Sequence, residues 1–108
     1  MTATVPTPQL TAEQRAEALT KATAVRMARR AFKDAVVAGD HSLRSAIETA
    51  KRDEGLAGIR VVDLLQCLPR IGPKGAVSLM SRTGVAMSRR IRGLGPHQVA
   101  ALLAAVGE

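Results

Sequence analysis

Between Pro8 and Gly39 the chain carries neither glycine nor proline. No other feature constrains the fold so tightly, because those two residues are the ones that interrupt helices. Thr11-Ala-Glu-Gln14 opens the stretch with the pattern of a capping box. The threonine hydroxyl can accept the amide three residues on, while Gln14 reaches back to the threonine amide. One long helix is therefore expected from about Thr11 to Ala38. At 3.6 residues per turn, Val25, Ala28, Phe32 and Val36 share the side expected to face a core. Arg15, Arg26, Arg30 and Lys33 share another side, with Arg29 at its edge. Residues 1–10 hold Pro6 and Pro8 among Thr and Ala and read as a flexible arm.

Past Gly39-Asp40 the punctuation becomes denser. Asp40 or Ser42 can cap a second helix from roughly Leu43 to Asp53, with Leu43, Ile47 and Ala50 inward. Gly55 and Gly58 bracket a short connection. Val61–Leu68 is apolar, and Asp63-Leu-Leu-Gln-Cys-Leu68 fits a short helix better than a strand. It stops before Pro69, which disfavours a helical residue in front of it. A further helix is expected from near Pro73 to about Arg82, ended by Gly84. Ser88 can cap a short basic turn over Arg89–Arg92, with Ile91 inward. Pro96 then starts a last helix to about Val106. Phe32 is the only aromatic, although 46% of the chain is hydrophobic. The core must come from Leu, Val, Ile and Met, with alanine, the strongest helix former, at close contacts. The fold class expected is all-α. Its organisation is an arm (1–10), a long amphipathic basic helix (11–38) on which a small helical domain (39–108) packs.

Charge sets the partner. Sixteen Lys and Arg against nine Asp and Glu give a formal +7, with a pI near 11.1. From Leu64 to Gly107 the cations are Arg70, Lys74, Arg82, Arg89, Arg90 and Arg92, and there is no acid. A surface built only for solubility intersperses both signs, so this pattern points to a polyanion. Other classes fall away. No stretch approaches the length of a membrane span, and no secretory leader is visible. Cys67 is the only cysteine, so an intrachain disulfide cannot form; its place in the apolar run Leu64–Leu68 suggests a buried inert thiol, and a reducing interior such as cytoplasm is expected. His41 and His97 stand far apart without a carboxylate cluster, and no nucleophile or metal-ligand spacing appears. No enzyme activity, cofactor or metal is expected.

Two segments carry the binding chemistry. In Leu68, Pro69, Arg70, Ile71, Gly72, Pro73, Lys74 and Gly75, one helix ends, a hairpin follows and a new helix begins. Amides at a helix start point outward with the positive end of the dipole and form a phosphate cradle. Arg70 and Lys74 add charge on either side. In the second segment, Arg89, Arg90 and Arg92 precede Gly93, Leu94 and Gly95, which permit close backbone approach. The basic face of the long helix (Arg15, Arg26, Arg29, Arg30, Lys33) is either a solvated stripe or a second DNA-binding surface. Nothing resembles a recognition helix that reads base edges. The scarcity of aromatics argues against base stacking on single strands. Backbone and shape contacts with a duplex remain.

At these residues the chain resembles the actinobacterial integration host factors, small nucleoid-associated proteins. The likeness runs over residues 8–107, through Pro8-Gln-Leu-Thr-Ala-Glu-Gln-Arg-Ala-Glu-Ala-Leu19, Val61-Val-Asp-Leu-Leu-Gln-Cys-Leu-Pro-Arg-Ile-Gly72 and Arg89-Arg-Ile-Arg-Gly-Leu-Gly95. It implies a helix-two-turn-helix domain and non-catalytic binding of double-stranded DNA. It further implies bending or compaction of that DNA, and support of phage integration beside an integrase on the same DNA. By the same resemblance, the hairpin matching Leu68–Gly75 contacts DNA and a lid matching Ala86–Gln98 closes over the backbone. Those roles fall on Arg70, Gly72, Lys74, Arg89, Arg90 and Arg92. Where the family tends to Lys-x-Lys after the glycine, this chain has Pro73-Lys-Gly75, one cation fewer. The expected state is a monomer associated with the nucleoid. Helix-two-turn-helix modules also occur in RNA-binding ribosomal proteins and in repair glycosylases. An RNA partner is therefore the alternative, and a repair enzyme using Lys74 the minor one.

Overall fold

The computed structural model describes residues 11–108, so the arm expected over residues 1–10 lies outside the described residues. Six α-helices follow in order: α1 Ala12–Val37, α2 Leu43–Lys51, α3 Glu54–Ala57, α4 Val61–Cys67, α5 Gly72–Thr83 and α6 Pro96–Ala105. A 3-10 turn at Ile91–Gly93 lies between α5 and α6. Among the described residues no strand forms, and no helix is long and apolar enough to cross a membrane.

The start of α1 is closed by the box that its sequence encodes. Gln14 N donates to Thr11 Oγ1 at 3.1 Å, and Thr11 N donates to Gln14 Oε1 at 2.9 Å. Glu13 adds a negative charge in the first turn, where the dipole favours it. Glu17 stands four residues before Lys21, the favourable order for a pair along a helix. The helix needs this local support, because residues 12–24 are all exposed. Its C-terminal half docks on α3 and α4. The helix stops at Gly39, whose φ of +86° is left-handed and so suits glycine. There Asp40 N reaches Ala35 O and Gly39 N reaches Val36 O, both at 3.0 Å, the paired bonds of a Schellman motif.

The docking face of α1 is turned from the one expected. Ala28 is exposed, and Arg29 is half-buried in its place beside Val25, Phe32 and Val36. The spacing four, three, four still follows one helix side. The face rotates because α3 supplies a carbonyl: Arg29 Nε donates to Gly55 O at 2.8 Å. The one-turn helix α3 is itself a departure from the short connection expected between Gly55 and Gly58. Asp53 caps it, its Oδ1 accepting from Gly55 N and Leu56 N, which also ends α2 at Lys51 rather than at Asp53.

The core gathers Leu43, Leu64, Leu65, Met80, Ile91 and Leu102, all fully buried, with Val36 and Val61. Phe32 lies at its edge, its ring 5.4 Å from that of His41 at a tilt of 53°. No described polar or charged residue is buried. The most extensive helix contact joins α4 and α5, the two helices that hold the hairpin between them.

Candidate nucleic-acid interface

The hairpin is built from apolar anchors inward and charge outward. Leu68 is buried, and Ile71 N donates back to Leu68 O at 3.1 Å, which tightens the turn. Ile71 is half-buried and packs closely on Gly75: a Cβ on Gly75 would sit 3.0 Å from Ile71 Cγ2. Gly72 has a φ of +65° and open space on the side a Cβ would take. A side chain there would be strained and would cover the approach to the start of α5. Pro73 occupies the first turn, and α5 has no side-chain cap. Its first-turn amides are thus available to an anion. Pro69, Arg70, Pro73 and Lys74 are exposed around them.

The lid is held differently. Val61 N donates to Arg89 O and Ile91 N to Ile59 O, both at 2.9 Å, so Arg60 and Arg90 form a small antiparallel bridge. That pairing overturns the turn expected over Arg89–Arg92 with Ser88 as its cap. A ladder partner requires extended backbone, and Arg90 is extended at φ −100°, ψ 159°. The turn therefore begins two residues later, at Ile91, and no side chain caps it. Ile91 and Leu94 are buried and anchor the lid in the core. Lys51 Nζ donates to Leu94 O at 2.7 Å. Gly95, half-buried, donates from its amide to Gln98 Oε1 at the start of α6.

The lid arginines are seated on carbonyl oxygens. Arg89 Nη1 donates to Gly93 O at 3.2 Å, and Arg90 Nη1 donates to Gly58 O at 2.5 Å. Arg90, Arg92 and Gly93 are exposed, and Arg89 is half-buried. Leu68 and Leu94, both named as contact residues by sequence, can offer a ligand only their backbone, because their side chains belong to the core.

On α1, Arg26, Arg29, Arg30, Lys33 and Asp34 line one shallow depression. Arg26 Nη2 donates to Thr23 Oγ1 at 3.2 Å. Arg15 stands nearer the helix start, on the exposed half. Arg29 leaves the solvated stripe for Gly55, so the expected basic face is divided between solvent and fold.

A groove of about 700 Å3 lies behind the hairpin, between it, α5, the start of α2 and the end of α6. Glu108, the only acidic residue after Asp63, closes one end. Leu43 N donates to its Oε2 at 2.8 Å and Arg44 N to its Oε1 at 3.2 Å. A carboxylate thus serves the start of α2, which has no acid of its own in its first turn. Burial pushes the Cys67 thiol above its ordinary value. The Lys33 charge opposes that rise, and Asp63 and Asp34 add to it. The thiol therefore stays protonated and unreactive at neutral pH. Among the described residues no cluster of His, Cys, Asp or Glu could hold a metal ion.

Sequence reasoning passed over Gly58, Gly55, Lys51 and Glu108. Gly58 and Gly55 read there as mere connection. For Glu108 a signal existed: the lone acid after the acid-free basic stretch 64–107 must be placed somewhere. The carbonyl partners of the arginines left no trace in side-chain chemistry.

Residues 36–106 match the family of S13-like H2TH domains. The chain is 45% identical over 96 residues to the integration host factor of Mycolicibacterium smegmatis, covering 89% of this chain and 91% of that one. The chain belongs to the integration host factor family. Identity is 44% over 100 residues with the Mycobacterium tuberculosis member, covering 93% of this chain and 95% of that one. It is 40% over 95 residues with the Streptomyces coelicolor member, covering 88% and 89%. A solved structure of sIHF bound to an 8-base-pair palindromic DNA superposes with a TM-score of 0.77 at 34% identity, covering 82% of this chain and 99% of that one. The all-α helix-two-turn-helix fold and the family resemblance read from sequence both hold.

Proposed function

We propose that this chain is a non-catalytic architectural protein of the nucleoid that grips duplex DNA by its phosphate backbone, bends or compacts it, and supports phage integration beside an integrase. The observation that carries the reading is the start of α5. There, uncapped amides open between Arg70 and Lys74 under a glycine with no side chain to block them. Oriented amides and cations recognise phosphate without reading bases. The likeness to sIHF, a protein solved with DNA bound, supports the same reading.

The lid arginines Arg89, Arg90 and Arg92 supply a second set of phosphate contacts, and Arg26, Arg30 and Lys33 extend the path along α1. With several phosphates neutralised, log affinity should fall with log salt at a slope of roughly −4 to −6. The test is a titration of a 20-base-pair DNA duplex, a matching RNA duplex and single-stranded DNA at several salt concentrations. Duplex DNA should bind tightest with that slope. Tighter binding of RNA, or a slope near zero, overturns the reading.

A further inference from the structure

Gly58 follows α3, and its backbone does not demand glycine: φ is −81°, ordinary for any residue. Space demands it. A Cβ on Gly58 would collide with Nη2 of Arg29, which comes from α1, and would meet Nη2 of Arg92, from the lid, at 2.8 Å. Arg90 Nη1 donates to the carbonyl of the same residue, and Arg29 Nε to that of Gly55. Three guanidinium groups from two distant stretches of chain close over one residue and bury it.

The hydrogen bonds that seat Arg29 and Arg90 end on carbonyl dipoles. Asp53, the acid on α3's side, gives its Oδ1 to the Gly55 and Leu56 amides, and Asp34 shares the α1 depression with Arg29 without a hydrogen bond to it. Like charges gathered this closely repel one another, the more so where protein displaces water. A guanidinium carries five donors in a planar fork, and these bonds use one of Arg29 and one of Arg90. Spare forks converging from different directions match the oxygens of a tetrahedral anion, which also removes the repulsion. Arg90 and Arg92 are exposed, so such an anion has access.

We propose that Arg29, Arg90 and Arg92, gathered around Gly58, form a single phosphate-binding site that couples the long helix to the lid. The site stands on this geometry alone. That its phosphate belongs to a DNA backbone, rather than to a free phosphate, rests on the function proposed above.

The test follows the arginine Nε–Hε resonances of the whole chain during titration with inorganic phosphate, and measures affinity for a 20-base-pair duplex, in wild type and in Gly58→Ala. The colliding atoms are the far ends of flexible side chains, so the variant should fold, with a melting temperature within about 4 °C of wild type. In wild type, Arg29, Arg90 and Arg92 should move together along one saturable curve. In Gly58→Ala that curve should weaken about tenfold, and duplex affinity should fall about fivefold to tenfold. Arg29→Gln, which keeps the backbone untouched, should weaken the phosphate response of Arg90 and Arg92 as well. Arg52→Ala, an exposed cation elsewhere, should leave both readings unchanged.

A non-saturating drift shared by all arginines overturns the site, as does a phosphate curve unaltered by both Gly58→Ala and Arg29→Gln. A phosphate curve lost in Gly58→Ala with duplex affinity retained supports the site and assigns it to a free phosphate. Should wild type fail to bind duplex at all, the proposed function falls, and the phosphate titration still decides the site.

Discussion

The hairpin and the lid present positive charge in opposite ways. In the hairpin the field comes from the backbone: a left-handed glycine swings the chain into α5, and the first amides of that helix face outward under exposed Arg70 and Lys74. In the lid it comes from side chains whose guanidinium ends are already fixed, Arg89 on Gly93 and Arg90 on Gly58. Fixing costs conformational entropy once, on folding, so less is lost when an anion binds. The hairpin depends on one backbone conformation. The lid depends on its anchors, Ile91 and Leu94, and on two bridge hydrogen bonds. The two regions should therefore fail differently.

The largest expected effect breaks the lid at its anchor. Ile91 is fully buried, so Ile91→Ala should cost about 2–5 kcal/mol, the range for emptying an aliphatic core position. A thermal or urea melt measures this. If the lid were only a flexible flap, the loss would be well under 1 kcal/mol. Gly72→Ala comes next and probes the hairpin. The left-handed conformation should cost about 1–2 kcal/mol with a Cβ present. Duplex affinity should fall with it, while the salt slope stays at the wild-type value, because no cation is removed.

Charge deletions then sharpen the contrast. Arg90→Ala and Lys74→Ala should each flatten the salt slope by about one unit and weaken duplex binding. Arg52→Ala should do little. Salt titrations of the three variants check this, and equal effects from all three would mean that general charge, rather than the two loops, holds the duplex. Gly72→Ala and Arg90→Ala together separate backbone from side-chain binding: one changes affinity at constant slope, the other changes both.

Much of this could be read before any coordinates, and the reason is local. Helix starts and stops depend on near neighbours, so the capping box at Thr11, the stop at Gly39 and the proline-led starts of α5 and α6 all leave marks in the sequence. The hairpin was legible for the same reason, since its glycine, proline and lysine are consecutive. The lid was only half legible. Ile91 was visible as its inward residue, but the extended backbone of Arg90 follows from a bridge to Arg60, a partner thirty positions away and invisible to local spacing. Ala28 and Arg29 changed places for a similar reason. Helical periodicity defines a face only to within a residue or so, and the Gly55 carbonyl on α3 settled which one. Since α3 is a single turn with Gly55 inside it and Gly58 at its end, no periodicity announced it.

The smallest effect tests whether Glu108, the one acidic side chain after Asp63, belongs to the fold or to the interface. Glu108 lies beside the groove that the hairpin helps to form, so by position alone it could tune binding through repulsion of phosphate. Its hydrogen bonds say otherwise, since both oxygens are engaged by the amides that open α2. A capping carboxylate at a helix N-terminus is worth about 1 kcal/mol. Glu108→Ala should therefore lower stability by about that much and leave the salt slope for duplex DNA unchanged. Unaltered stability with tighter duplex binding would reverse the assignment, placing Glu108 on the DNA path and extending the interface from the hairpin across the groove to the end of α6.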